Sequence, residues 1–323
     1  MGRKILAPEK TEKVFTDIHS NHILPIVLEQ FLNKKCADCI EESYHNIKDR
    51  KFRSAICALL GNFTQKSLII GAVAEIIWCA FLDIDDMSDG ASYRFHQPSA
   101  WKRCGHLISI SSSSWAINHA LGMLLDAGIQ VPNVKIFLQS ISDAFAAQID
   151  QYLCSPDVSL DWYNNISIRK NNLAGIAWTA VLRESETSEY TLEMIRKMYN
   201  LCAAAGQMKN DLYDVSPHLN RARFNDFHAS RISSPLLMLR ASTSDMEFER
   251  FRAEFFGKEL SVTEMSKAAA VLSRKGVYKD CVTIIRRYVV EAETYMERAD
   301  IADATKDILA SWLNNQFLWD LSI

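Results

Sequence analysis

Apolar residues recur along this chain at spacings of three and four, and no stretch alternates apolar with polar residues at a sustained period of two. That periodicity belongs to amphipathic helices and argues against a sheet-dominated fold. Helices are expected over 23–31, 54–60, 68–86, 108–125, 134–153, 160–182, 188–213 and 277–298, with Gly71 and Ala72 allowing close packing on the third. Breaks fall at Ser155-Pro156-Asp157, Ser216-Pro217-His218, Ser234-Pro235 and Gly257. Only 11 Gly and 7 Pro among 323 residues leave little turn chemistry, and 48% hydrophobic residues supply a large core. Neither a linker nor an internal repeat divides the sequence. The expected fold class is all-α, as one domain over residues 1–323.

A net charge of −3 provides no basic footprint, so nucleic acid is not an expected partner. Eight cysteines lie scattered, mostly in apolar helical stretches, as reduced thiols would. Cys36 and Cys39 form a single C-x-x-C with no second ligand pair, which reads as two ordinary helix thiols. No apolar run reaches the ~18 residues of a membrane span, so no integral membrane segment is expected. A soluble, cytoplasmic protein is the expectation.

The chemistry concentrates in two acidic groups. Asp85-Asp86-Met87-Ser88-Asp89 closes the apolar helix that begins at Leu68. On a helix Asp85 and Asp89 stand one turn apart on one face, about 6 Å along the axis. Carboxylates so placed repel unless a hard cation lies between them, and Mg²⁺ suits such a pair because water and phosphate oxygens complete its shell. Asn210 and Asp214 repeat that spacing in a second apolar helix, and Asp226 follows. Two oxygen-ligand faces on two helices are suited to bracket one polyanion through several Mg²⁺ ions.

In this order the motifs resemble the trans-isoprenyl diphosphate synthase superfamily over residues 45–240. Its first aspartate motif is Asp85-Asp86-Met87-Ser88-Asp89, and its second runs from Gly206 to Asp214. Between them, Arg94-Phe95-His96-Gln97-Pro98 corresponds to Arg-Arg-Gly-x-Pro, and Tyr163 to Lys170-Asn171 corresponds to Tyr-x6-Lys-Thr. Asp226, Arg231 and Pro235 match a late Asp-x4-Lys-x3-Pro, and Asp49 to Ser54 a degraded Gly-Lys-Arg-x-Arg-Pro. The resemblance implies a helical bundle with a central active-site cavity, about three Mg²⁺ ions, an allylic isoprenoid diphosphate substrate and a homodimer. It implies metal ligands at Asp85, Asp89, Asn210, Asp214 and Asp226, with Gln148 nearby. Arg94, Lys170, Gln207 and Arg231 fall at positions that hold the allylic diphosphate. Asp85, Asp89, Lys170 and Asp214 fall at the catalytic ones. Ala80 and Phe81 fall in the prenyl pocket, where the Phe81 ring counts against a twenty-carbon donor.

The departures concern the second substrate. Phe95 replaces an arginine and Trp78 a His or Gln, both of which in the family touch the diphosphate of isopentenyl diphosphate. A guanidinium lost from such a contact removes about 1.5–3 kcal/mol. Arg50, Lys51 and Arg53 remain. An acceptor with an aromatic body and less phosphate fits: Trp78 and Phe95 stack a flat ring while Arg50 and Arg53 hold a monophosphate. Indole-3-glycerol phosphate meets that description, and the chain resembles the fungal indole-diterpene geranylgeranyl transferases. Three alternatives stay open: a terpene cyclase, a chain-elongating synthase, and a regulatory subunit.

Overall fold

The computed structural model describes residues 3, 5–32, 34–46, 51–94, 97–154, 157–216 and 224–318. Among them are seventeen α-helices, a π-helical turn at His19–Ile23 and a two-stranded antiparallel hairpin. In the hairpin Tyr93 lies opposite Pro98, and Arg94 opposite Gln97. The chain is an all-α protein.

Contacts gather into two compact units. The first comprises Met1–Ile141, Leu173–Arg196 and Ala299–Ser311. Its axis is the helix Gln65–Asp89, which packs against Phe52–Leu60, His106–Asp126 and Leu173–Glu184. Thr64 starts this helix by accepting the Ser67 amide, as capping residues do. Gly90 ends it in the left-handed region at φ 65°, and the Ala91 amide turns back to the Asp86 carbonyl at 2.8 Å. Asp85, Asp86 and Asp89 therefore occupy the last turn, where unpaired carbonyls already concentrate negative potential.

The second unit comprises Ser142–Asn172, Lys197–Arg298 and Trp312–Ile323. Here the helix Ser234–Ala241 packs on Val277–Arg298, Leu160–Asn171 and Asp245–Phe255. Tyr163, Ile232 and Leu237 form a buried cluster beneath Leu160 and Trp162. The helix Glu189–Val215 brings the second motif to its C-terminal turn.

One expectation needs correction. The helix expected over 160–182 is two, Leu160–Asn171 and Leu173–Glu184, parted by a turn at Asn172. One helix nevertheless passes the test of length and average composition for a membrane span. Gln65–Asp89 contains an 18-residue window of mean hydropathy 2.0, long and apolar enough to cross a membrane. Isolated acids such as Glu75 interrupt any continuous run, yet one or two charges leave the window average high. In the structure 67% of that window is buried inside the protein, as in a core helix.

Candidate active site

Asp85, Asp86 and Asp89 differ sharply in their surroundings. Asp86 is 2% exposed, whereas the Asp85 side chain is 37% exposed and Asp89 lies on the surface. The Arg94 guanidinium grips Asp86 from two sides, Nε to Oδ2 at 2.7 Å and Nη2 to Oδ1 at 2.6 Å, and reaches Asp85 at 3.6 Å. Burial raises the Asp86 carboxyl while Arg94 opposes that rise. Burial works against charge on Arg94 too, but Asp86, Asp85 and Asp83 outweigh it and raise its pKa. The hairpin that carries Arg94 is fastened to the helix end, because the Ala91 carbonyl accepts from Ser99 Oγ at 2.6 Å and from Trp101 Nε1 at 2.8 Å. Behind the motif Asp83 is 4% exposed, and burial pushes its carboxyl up to about 7.

The same helix meets the segment Lys51–Ser54. The Arg53 guanidinium sits 3.9 Å from the Trp78 ring centroid and 4.7 Å from that of Phe52. Its Nη1 lies 3.9 Å from Glu75 Oε2, with both side chains about 5% exposed or less. Trp78 is half-buried, as is Lys51. Expected from sequence was a Trp78 face open to an acceptor ring and an Arg53 open to phosphate. The structure instead turns these two side chains on each other. Arg50 and Phe95 lie outside the described residues. Ala80 is 0% exposed, and Phe81 is partly exposed.

The second motif has the same layout. Asn210 is exposed and Asp214 half-buried, while Asp211 between them is 3% exposed. Asp211 Oδ2 accepts from Tyr163 Oη at 2.9 Å and from the Ser234 amide and hydroxyl, both at 2.8 Å. Its Oδ1 accepts from Gln207 Nε2 at 2.8 Å. Burial raises this carboxyl, and the four donors oppose the rise. Asp214 accepts the amides of Asn225 at 3.1 Å and Asp226 at 3.2 Å, which brings Asp226 alongside it.

The expected donor-site cations in this unit have neighbours on one helix. Lys170 Nζ donates to Gln151 Oε1 at 2.7 Å. Arg231 Nη2 donates to Tyr152 Oη at 2.9 Å and lies over that ring at 5.1 Å. Gln207, besides its bond to Asp211, approaches Asn171 at 3.5 Å. Gln148 is half-buried. Reasoning from spacing missed Asp86, Asp211, Glu75, Gln151 and Tyr152. The one available signal was the second aspartate of each motif, which a helix turns about 100° away from the first.

Among the described residues no three His, Cys, Asp or Glu side chains gather as a preformed metal cage. The donors present still suit magnesium, which dehydrates reluctantly and binds through one or two carboxylates plus substrate phosphates. Outward carboxylates at the negative end of a helix are such donors.

Residues 33–272 match the sequence profile of the polyprenyl synthetase family. The chain belongs to that family, and it is a prenyltransferase of isoprenyl diphosphate chemistry. The family depends on magnesium. The fold is similar to polyprenyl synthase from Caulobacter crescentus CB15, solved with calcium and isoprenyl diphosphate, at TM-score 0.85 and 16% identity over 98% of this chain and 99% of that one. A decaprenyl diphosphate synthase from Rhodobacter capsulatus gives 0.83 and 13% over 96% and 99%. Geranylgeranyl pyrophosphate synthetase from Pyrococcus horikoshii Ot3 gives 0.80 and 16% over 94% and 98%. No curated protein matches the chain by sequence.

Proposed function

We propose that the chain transfers the prenyl group of an allylic diphosphate, geranylgeranyl diphosphate, to C3 of an indole acceptor, indole-3-glycerol phosphate. The observation that carries this is the pairing of Arg53 with Trp78 and Glu75. A buried guanidinium already faced by a carboxylate and two rings offers little charge to a diphosphate, while the wall it supports is aromatic. Lys51, with Arg50, is left to take a single phosphate. Asp85, Asp89, Asn210, Asp214 and Asp226 would hold three magnesium ions, which when bound neutralise charge on the departing pyrophosphate. Lys170, Arg231, Gln207 and Arg94 bind the donor diphosphate, Arg94 also fixing the first motif through Asp86. The allylic C–O bond breaks with its electron pair on pyrophosphate, indole C3 forms the new carbon–carbon bond, and the C3 proton passes to pyrophosphate. Phe81 bounds the prenyl tail. The protein works as a cytoplasmic homodimer; free thiols and exposed Leu138 and Ile149 on the helix Val131–Leu153 support this.

Chain elongation with isopentenyl diphosphate is the second reading, favoured by membership of the family. The double substitution Trp78→His with Phe95→Arg separates them, because it restores the diphosphate contacts usual in the family. Expected is loss of indole prenylation and a gain of five-carbon extension, read by product mass. A wild type that already extends, with a double mutant that merely improves it, would retire the indole reading.

A further inference from the structure

We propose that Glu75 is a positioning residue for the acceptor, holding Arg53 and the start of the Phe52–Leu60 helix in the geometry the acceptor meets. The inference rests on the reading that the acceptor binds at Lys51 and against the Trp78 wall that Arg53 supports. Lys51 stands at the N-cap of that helix and its side chain makes no capping bond. A helix start leaves several amides without intrahelical partners. Glu75, from the neighbouring helix, supplies what Lys51 does not: its Oε1 accepts the Ser54 amide at 3.2 Å. The carboxylate thus closes the helix start and faces Arg53, with both side chains almost wholly enclosed.

Further contacts hold the segment. Trp178 Nε1 donates to the Arg53 carbonyl at 3.0 Å. His19 Nδ1 meets Ser54 Oγ at 3.2 Å, and Tyr44 Oη meets His19 Nε2 at 2.9 Å. Gly71, one turn before Glu75, lets the two helices touch, for a Cβ there would lie 3.1 Å from Ser54 Cα and carbonyl oxygen. Gly71, Glu75, Trp78, Asp85 and Asp89 recur at spacings of four, three, seven and four, along one face of one helix. Trp78 and Asp85 are therefore about 10 Å apart along the axis. Any shift of Arg53 relative to Trp78 moves the acceptor against a donor two of whose proposed metal ligands, Asp85 and Asp89, sit on the same helix. Near-attack geometry tolerates little such movement.

The test uses the full chain with Mg²⁺ and geranylgeranyl diphosphate, and indole-3-glycerol phosphate and isopentenyl diphosphate as separate acceptors. Glu75→Gln keeps an acceptor for Ser54 but removes the charge that faces Arg53. Expected is an acceptor KM raised about tenfold with the donor KM unchanged, together with a lowered melting temperature, because the enclosed Arg53 loses the carboxylate that faces it. If Glu75 acts through Arg53, adding Glu75→Gln to Arg53→Met brings little further change, whereas independent roles add. Should Glu75→Gln fail to fold, Glu75→Asp keeps the charge one methylene back and is expected to give a smaller rise in the same constant. Additive effects, or an unchanged acceptor KM where Arg53→Met raises it, would overturn the role of Glu75 and leave the acceptor assignment standing. Use of neither acceptor by the wild type, or an Arg53→Met that alters only the donor KM, would overturn both.

Discussion

Asp85 and Asp86 are adjacent in the chain, yet a rotation of about 100° between them separates two kinds of chemistry. Asp85, like Asp89 one turn on, presents oxygen to the outside of the last helical turn, while Asp86 is enclosed and gripped by Arg94. Alanine at Asp85 or Asp89 is expected to lower turnover of an allylic diphosphate roughly 100-fold or more with stability unchanged. Steady-state rates, with EDTA as the control for metal dependence, check this. Asp86→Ala leaves Arg94 without its carboxylate. It is expected to cost about 1–3 kcal/mol in urea unfolding, below the value for a fully buried pair because Arg94 is 29% exposed. His19 makes a separate residue-level prediction. Burial first, and Lys51 second, lower its pKa from 6.5 to about 3. The unfolded chain therefore binds the extra proton between those values, and stability falls as pH drops through that window. His19→Gln is expected to flatten the stability–pH slope between pH 6 and 4, by at most about 1.4 kcal/mol per pH unit. An unchanged slope would mean that His19 is protonated in the folded protein.

The helix Gln65–Asp89 shows what could be read from sequence and what could not. Its apolar periodicity and terminal aspartates were plain, because period and composition are local properties. The residues that lock it to its neighbours were not, since Glu75 reads as a lone acid in an apolar run until Ser54 and Arg53 are seen beside it. Asp211 was passed over similarly. Its partners Tyr163 and Ser234 come from distant segments, and spacing says nothing about which long-range pairs meet. The hairpin at Tyr93–Pro98 escaped because two-residue strands carry no period. Close packing at Gly71 was anticipated, and its partner proves to be the Ser54 backbone. Gly71→Ala is expected to push the Phe52–Leu60 helix outward and cost about 1–3 kcal/mol, the usual penalty for overpacking. Urea unfolding measures that cost, and an acceptor KM that rises alongside it would tie the helix contact to the acceptor.

Across the molecule, each unit carries one motif on the C-terminal turn of a long helix, and each motif buries its second position. Asp86 and Asp211 are buried and hold structure, whereas Asp85, Asp89 and Asn210 are more exposed and the half-buried Asp214 accepts the Asn225 and Asp226 amides. Helix C-termini disfavour such clusters of negative charge, which bound cations would relieve. Family membership establishes a prenyltransferase. The proposed acceptor depends instead on a tryptophan and an arginine that take up each other's charge and face. Product analysis by mass tests this most directly: wild-type protein, Mg²⁺ and geranylgeranyl diphosphate, with indole-3-glycerol phosphate, isopentenyl diphosphate or no acceptor. The account predicts a geranylgeranylated indole product in the first reaction and no five-carbon extension in the second. Extension with isopentenyl diphosphate and no indole adduct, or a hydrocarbon formed with no acceptor present, would contradict it.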